Sequence, residues 1–273
     1  HHLLTPFHYS SNDKARMREH LFAEEGTLDE KTKLLDGNVD GSDEFDEDCV
    51  QWYLSGRKYS KRELLADRIV LLLGSAFSLI GCPLIIAHAL NSRAEELRLL
   101  GIFVYCVGLV FMLNASLVFH WNANNQAWAS FLLFIDQFGI YLMICGTYTP
   151  VCIQSGAYFL LAAVWALLVL GITLKVVLYG NEHPWKSTLD MTGFFLMGWS
   201  VVPFIPQVVP YLSTWAAWCI LIQGILYSIG ASCLTYRRLE FHYFLWHTFV
   251  LAAAVLFYAV AYREFAVNST VPP

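Results

Sequence analysis

Charge is what this chain has least of. Asp, Glu, Lys and Arg make up only 14% of its 273 residues, against 57% hydrophobic, whereas soluble domains average roughly 25% charged and 45–50% apolar. A mean hydropathy of +0.49 points the same way. An ordinary soluble protein is excluded, and a polytopic membrane protein is expected. The formal net charge of −5 hides an uneven distribution, because the first fifty positions hold thirteen Asp/Glu against five Lys/Arg. The rest of the chain is close to charge-balanced and nearly all apolar.

Other absences narrow the class further. The seven cysteines include no CxxC pair and fall mostly within apolar runs, which argues against a disulfide framework and a zinc ribbon. No methionine precedes His1, so the sequence reads as a fragment. The first long apolar run begins near residue 69, too long and too internal for a signal peptide. Nothing suggests nucleic-acid or nucleotide binding.

Residues 1–60 read as an acidic, largely disordered cytoplasmic segment, too poor in apolar periodicity for a core of its own; a short helix over Asp29–Leu35 is the exception. Residues 61–264 form the membrane domain and 265–273 a short outside tail. Seven runs have the roughly twenty-residue length that crosses a ~30 Å hydrocarbon layer as a helix: Ile69–Leu90, Leu99–Phe119, Trp128–Tyr148, Ala157–Leu174, Met191–Val209, Trp215–Leu234 and Tyr243–Tyr262. Pro83, Pro203 and Pro206 fall within them and are expected to kink helices. The fold class expected is therefore all-α, a seven-helix membrane bundle.

Orientation follows from the cations in the short connections. With the N-terminus cytoplasmic, the inside segments carry nine: Arg57, Lys58, Lys61, Arg62, Arg68, Lys175, Lys186, Arg237 and Arg238. The outside carries three: Arg93, Arg98 and Arg263. This places the C-terminus outside, together with the glycosylation sequon Asn268-Ser269-Thr270. It also sets the chain apart from G-protein-coupled receptors, which run the other way. Their Asp-Arg-Tyr in the third helix and Asn-Pro-x-x-Tyr in the seventh are both missing, and Asp67-Arg68-Ile69 precedes the first span.

Against so apolar a background, the few polar side chains stand out, since an ionisable group within a span costs roughly 2.5–3.5 kcal/mol on insertion scales and is read as functional by default. Ser116 and His120 lie at the end of the second span, Asp136 about two turns into the third, and His242 and His247 at the start of the seventh. The N-inside topology brings all five to the cytoplasmic face. Ser116 and His120, four apart, share a helix face. Imidazole is the commonest zinc ligand, and a catalytic zinc takes three protein ligands plus a water whose pKa falls to about 7. His120, His247 and His242 are the candidate ligands. Asp136 could hold that water or accept its proton, and Ser116 could orient an imidazole or a bound water. The corresponding reaction is hydrolysis of a lipid amide or ester at the inner leaflet.

These residues resemble the hemolysin III and progestin/adipoQ receptor family over roughly positions 59–262. The resemblance rests on Ser116-x3-His120, the run from Asp136 through Gly139-Ile140-Tyr141 to Gly146-Thr147-Tyr148-Thr149-Pro150, Met197-Gly198-Trp199, and Trp246-His247-Thr248-Phe249-Val250-Leu251. It implies a seven-helix bundle with zinc near the inner leaflet, held by one histidine of the second helix and two of the seventh, and ceramidase-like activity. Ser116 would then steady the transition-state oxyanion or support a ligand. Two departures matter. The family's last motif is His-x3-His, but position 243 is Tyr and the histidine lies one further back at His242, which leaves the two imidazoles about 140° apart on a regular helix. Either a π-bulge or irregular helix start rotates His242 round, or Tyr243 or a water takes its place. The opening Glu-x3-Asn-x3-His appears as Glu63, Asp67 and Leu71.

Two further stretches carry candidate chemistry. Asp36–Glu47 fits a calcium-loop pattern, but Asp43 occupies the usually apolar eighth position and no partner loop exists, so it reads as a solvated acidic stretch. Lys58, Lys61, Arg62 and Arg68, with Trp52, Tyr53 and Tyr59, could line the inner leaflet of the plasma membrane or an endomembrane. The resulting expectation is a zinc-containing, receptor-like integral membrane protein that hydrolyses a ceramide-like lipid. The alternatives are a receptor responding to a lipid or protein ligand, or a structural membrane protein, both without turnover.

Overall fold

A computed structural model of the chain describes residues 49–51, 58–123, 125, 127–177, 186–236 and 238–266. The expectations for residues 1–48, the Asp36–Glu47 loop and the Asn268 sequon lie outside these residues. A short β1 (Cys49–Gln51) pairs antiparallel with β2 (Lys58–Ser60), Val50 opposite Tyr59. Then come α1 (Lys61–Asn91), α2 (Glu96–Trp121), α3 (Ala129–Ser155), α4 (Tyr158–Val177), α5 (Lys186–Gly198), α6 (Thr214–Thr235) and α7 (His242–Val260). Among the described residues, seven helical segments are long and apolar enough to cross a membrane, so the all-α seven-span bundle is what forms. Large apolar side chains such as Phe159, Leu196 and Leu65 face outward, as a lipid-facing surface requires.

The helix limits differ from the apolar runs where polar chemistry intervenes. α1 starts eight residues before Ile69, because Ser60 and Glu63 form a reciprocal capping box: the Glu63 N–H donates to Ser60 Oγ and the Ser60 N–H to Glu63 Oε2. This draws Asp67 into the helix. The fifth span begins as α5 but breaks after Gly198 into short 3₁₀ and α turns at Pro203, Pro206 and Pro210, since each proline removes an N–H from the ladder. Pro83 and Pro150 are accommodated inside α1 and α3.

Close packing of the first three helices rests on glycine pairs seven residues apart: Gly74 and Gly81 on α1, Gly101 and Gly108 on α2, Gly139 and Gly146 on α3. A Cβ at Gly108 would lie 3.0 Å from the Leu142 carbonyl oxygen, and one at Gly139 only 2.9 Å from Met112 Cα. Such small-residue faces let backbones approach where lipid supplies no hydrophobic drive. Polar contacts then fix the register of α1 on α2: Ser75 Oγ donates to Asn114 Oδ1 at 2.7 Å, and Asn114 Nδ2 donates to Ser78 Oγ at 3.3 Å. On the other side of α1, the Tyr258 hydroxyl of α7 donates to the Gly81 carbonyl at 2.8 Å.

The Gly-Ile-Tyr and Gly-Thr-Tyr-Thr-Pro run of α3 is scaffold. Tyr141 packs against Gly171 of α4 and Gly193 of α5. The Tyr148 hydroxyl donates to the Gly198 carbonyl at 2.8 Å and accepts from the Val201 N–H at 3.1 Å, holding the broken end of α5. Lys175 of α4 bonds Gln137 of α3 and Asp190 of α5 at 2.6 and 2.5 Å. These contacts use a different face of α3 from the one that carries Asp136.

Gly139→Ala should lower stability by about 1–3 kcal/mol, the usual cost of overpacking, because the atom it meets belongs to the backbone of α2. Unfolding of the detergent-purified protein would report the loss, while Gly198→Ala, with nothing within 4 Å of its Cβ, should leave the midpoint in place.

Candidate metal centre

At the end of the bundle where α1, α3 and α7 begin and α2 ends, four helices deliver the polar residues. Asp67 lies six residues into α1 and Asp136 seven into α3, roughly 9–10 Å along their axes. His120 stands one residue before the end of α2 and His247 five into α7. The convergence expected of His120 and His247 occurs: their rings lie 4.5 Å apart, nearly perpendicular.

Between them sits Asp67, which the sequence places in the family's opening motif but not among the candidate site residues. Its Oδ2 is 2.7 Å from His120 Nδ1 and its Oδ1 is 2.6 Å from His247 Nδ1. All three side chains are buried, Asp67 to 2% exposure. A carboxylate so removed from solvent must have partners for its lone pairs, and the two imidazoles supply them. His247 Nε2 lies 3.2 Å from the Ser116 hydroxyl. Asp136 is half-buried beside these groups, its carboxylate acted on by His120, His247 and Ser116. Ligand atoms of Asp67, His120 and His247 lie within 4.8 Å of one another, so the three could hold a metal ion.

His242 is placed elsewhere. Regular α-helix runs from His242 onward with no bulge before His247, so the five-residue offset is kept. Its Nε2 is 3.5 Å from the Tyr59 hydroxyl, outside the three-residue group. Tyr243 takes the place beside the centre instead, its ring edge-on to His120 at 5.1 Å and near-parallel to His247 at 6.4 Å. Tyr59, expected along the lipid surface, is buried at 3% exposure against Tyr243 and His242. β2 thus covers the centre, leaving a cavity of about 10 Å³ bordered by Tyr59, Glu63, Asp67 and His242, room for one water.

The start of α7 is held from α1. Phe241, at φ 57°, is left-handed, a conformation costing an L-residue roughly 1–2 kcal/mol. Its N–H donates to Glu63 Oε1 at 3.0 Å. Glu63 therefore caps α1 with one oxygen and fixes the entry of α7 with the other, which sets the height of His247 against Asp67.

With this geometry in place, the relatives become informative. The sequence model of the haemolysin-III related family matches residues 69–258. The chain belongs to that family. Hemolysin-3 of Bacillus cereus is 28% identical over 206 residues, 74% of this chain and 91% of the relative. The Hemolysin-3 homolog of Bacillus subtilis (strain 168) is 25% identical over 209 residues, 75% of this chain and 95% of the relative. Family membership and the seven spans make this an integral membrane protein. The matched range includes Ser116, His120, Asp136, His242 and His247 but starts two residues after Asp67. The signal that marks Asp67 from sequence alone is its spacing: Glu63 and Asp67 are four apart, hence on one face of a helix that extends beyond the apolar run.

Glu63→Ala should destabilise the protein by about 1.5–3 kcal/mol, the range for a lost hydrogen bond to a charged group, since both Ser60 and Phe241 lose their acceptor. Thermal unfolding in detergent would show it, and Glu63→Gln, which retains one acceptor oxygen, should recover about half.

Proposed function

We propose that this haemolysin-III family member is a zinc-dependent, receptor-like membrane hydrolase acting on a ceramide-like lipid amide at the inner leaflet, with its N-terminus cytoplasmic. The observation that supports it most is the burial of two imidazoles and a carboxylate within one cluster at the end of an otherwise apolar bundle, with the Ser116 hydroxyl and the Asp136 carboxylate alongside. Two imidazoles set among buried carboxylates fit zinc, for which imidazole nitrogen is a preferred ligand. The single negative charge of Asp67 offsets part of the charge of a dication. His120 and His247 would hold the ion; His242, turned toward Tyr59, would not serve as the third ligand without moving.

When bound, zinc supplies a water acidified to a pKa of about 7 and polarises a carbonyl. The chain's own residues do the rest. Asp136 orients the attacking water and accepts its proton, then returns a proton to the leaving amine. The Ser116 hydroxyl donates a hydrogen bond to the developing oxyanion. Tyr59 and Tyr243 limit entry of bulk water from the cytoplasmic side, which strengthens each of these electrostatic contacts. Substrate would come from the lipid phase, consistent with a long apolar chain.

A second reading, a ligand-responsive receptor without turnover, draws on the placement of His242 outside the three-residue group, which leaves the ion one histidine short.

Purified protein should contain one zinc per chain by elemental analysis, and His120→Ala should lose it. Fatty acid should be released from a short-chain ceramide by wild type. Asp136→Asn should abolish that release while retaining zinc, and Ser116→Ala should slow it by about 10²–10³-fold, the cost of one oxyanion donor. Zinc without turnover in wild type would favour the receptor, and absence of zinc would overturn both readings.

A further inference from the structure

Resting on the metal reading above, we infer that Asp67 is not a ligand of the ion but a positioning residue, one carboxylate that takes the Nδ1–H of both histidines and leaves both Nε2 atoms to the metal. The contacts themselves support this. The two Nδ1 atoms engage different oxygens of the same carboxylate, at 2.7 and 2.6 Å, lengths typical of charge-assisted hydrogen bonds. Ligand atoms sharing a tetrahedral zinc with bonds of 2.0–2.1 Å stand about 3.3 Å apart, so neither nitrogen–oxygen pair is spaced to share an ion.

An ionised carboxylate only accepts. Both Nδ1 atoms therefore carry hydrogen, and in the neutral imidazole, the form that binds a metal, each Nε2 carries the lone pair. His247 Nε2, on the far side of its ring from Asp67, meets the Ser116 hydroxyl at 3.2 Å, which agrees with an Nε2 that accepts. Metal-binding histidines ordinarily donate their second N–H to a carboxylate or carbonyl, which fixes tautomer and ring orientation. Here a single side chain from α1 performs that service for α2 and α7 together. The arrangement also explains how a carboxylate at 2% exposure is tolerated: each oxygen has its donor with or without a metal. Because the two rings share one acceptor, a change at position 67 frees both at once. Asp67 thus couples the packing of the first span to metal affinity without touching the ion.

The test uses the full chain in detergent, loaded with Co²⁺ or Zn²⁺ alone. Asp67→Asn should still bind one Co²⁺ per chain, with affinity lowered 10–100-fold, the range for loss of such an outer partner, and the visible bands of the cobalt protein should keep their positions. His120→Ala should lose the ion. In zinc-loaded wild type labelled with ¹⁵N-histidine, Nδ1 of both residues should resonate as N–H and Nε2 as metal-bound, a readout that needs no variant to fold. A shift of the cobalt bands in Asp67→Asn, loss of the ion as complete as in His120→Ala, or an Nδ1 resonance at metal-bound values would overturn the inference while leaving the metal site standing. Wild type that takes up neither ion would overturn the metal reading and this inference with it.

Discussion

One carboxylate shared between two imidazoles organises this end of the molecule. Asp67 is buried to 2% exposure, and a lone charge in such a place is costly enough that a chain either neutralises it or surrounds it with donors. His120 and His247 surround it from two other helices. The contact cannot form unless α1, α2 and α7 stand at one height and one rotation, and once formed it penalises every other arrangement. Removing either histidine would leave an oxygen of Asp67 unpaired in the interior.

Much of the surrounding structure serves that alignment. Gly74 and Gly81 let α1 settle against α2 and α7, while Asn114 pins α1 to α2 two turns from the centre. Glu63 joins the cap of α1 to the strained entry of α7. The third helix contributes differently. Its Gly-Ile-Tyr and Gly-Thr-Tyr-Thr-Pro residues fasten α4 and α5 through Tyr141 and Tyr148 and settle α3 on α2 through Gly139, and Asp136 is presented from the scaffold so fixed. The third-helix run, one of the stretches that carry the family resemblance, is thus mainly a packing device, one step removed from the chemistry.

How much of this could be read from residues alone varied with the physics involved. Apolar length gave the seven spans, because crossing hydrocarbon demands a minimum run whatever the neighbours are. His120 and His247 were legible because a titratable side chain beside lipid-facing sequence needs an explanation. Asp67 was legible as a position of the opening motif but not as a partner of the histidines, since it precedes the apolar run at Ile69, and only the capping box at Ser60 carries the helix back past it. His242 drew attention by residue type, yet its five-residue offset on an unbroken helix turns it toward Tyr59.

Sequence by itself determined the class of molecule, the number of spans and the small set of polar residues to be accounted for, because each of these depends on local composition and helical geometry. Tertiary structure alone decided that Asp67 joins the two histidines and His242 does not, that Tyr59 is a cover and not a membrane anchor, and that Glu63 ties two helix starts together. Those outcomes depend on the rotation and height of one helix against another, set by glycine contacts and interhelical hydrogen bonds among residues scattered along the chain, and no local pattern encodes them.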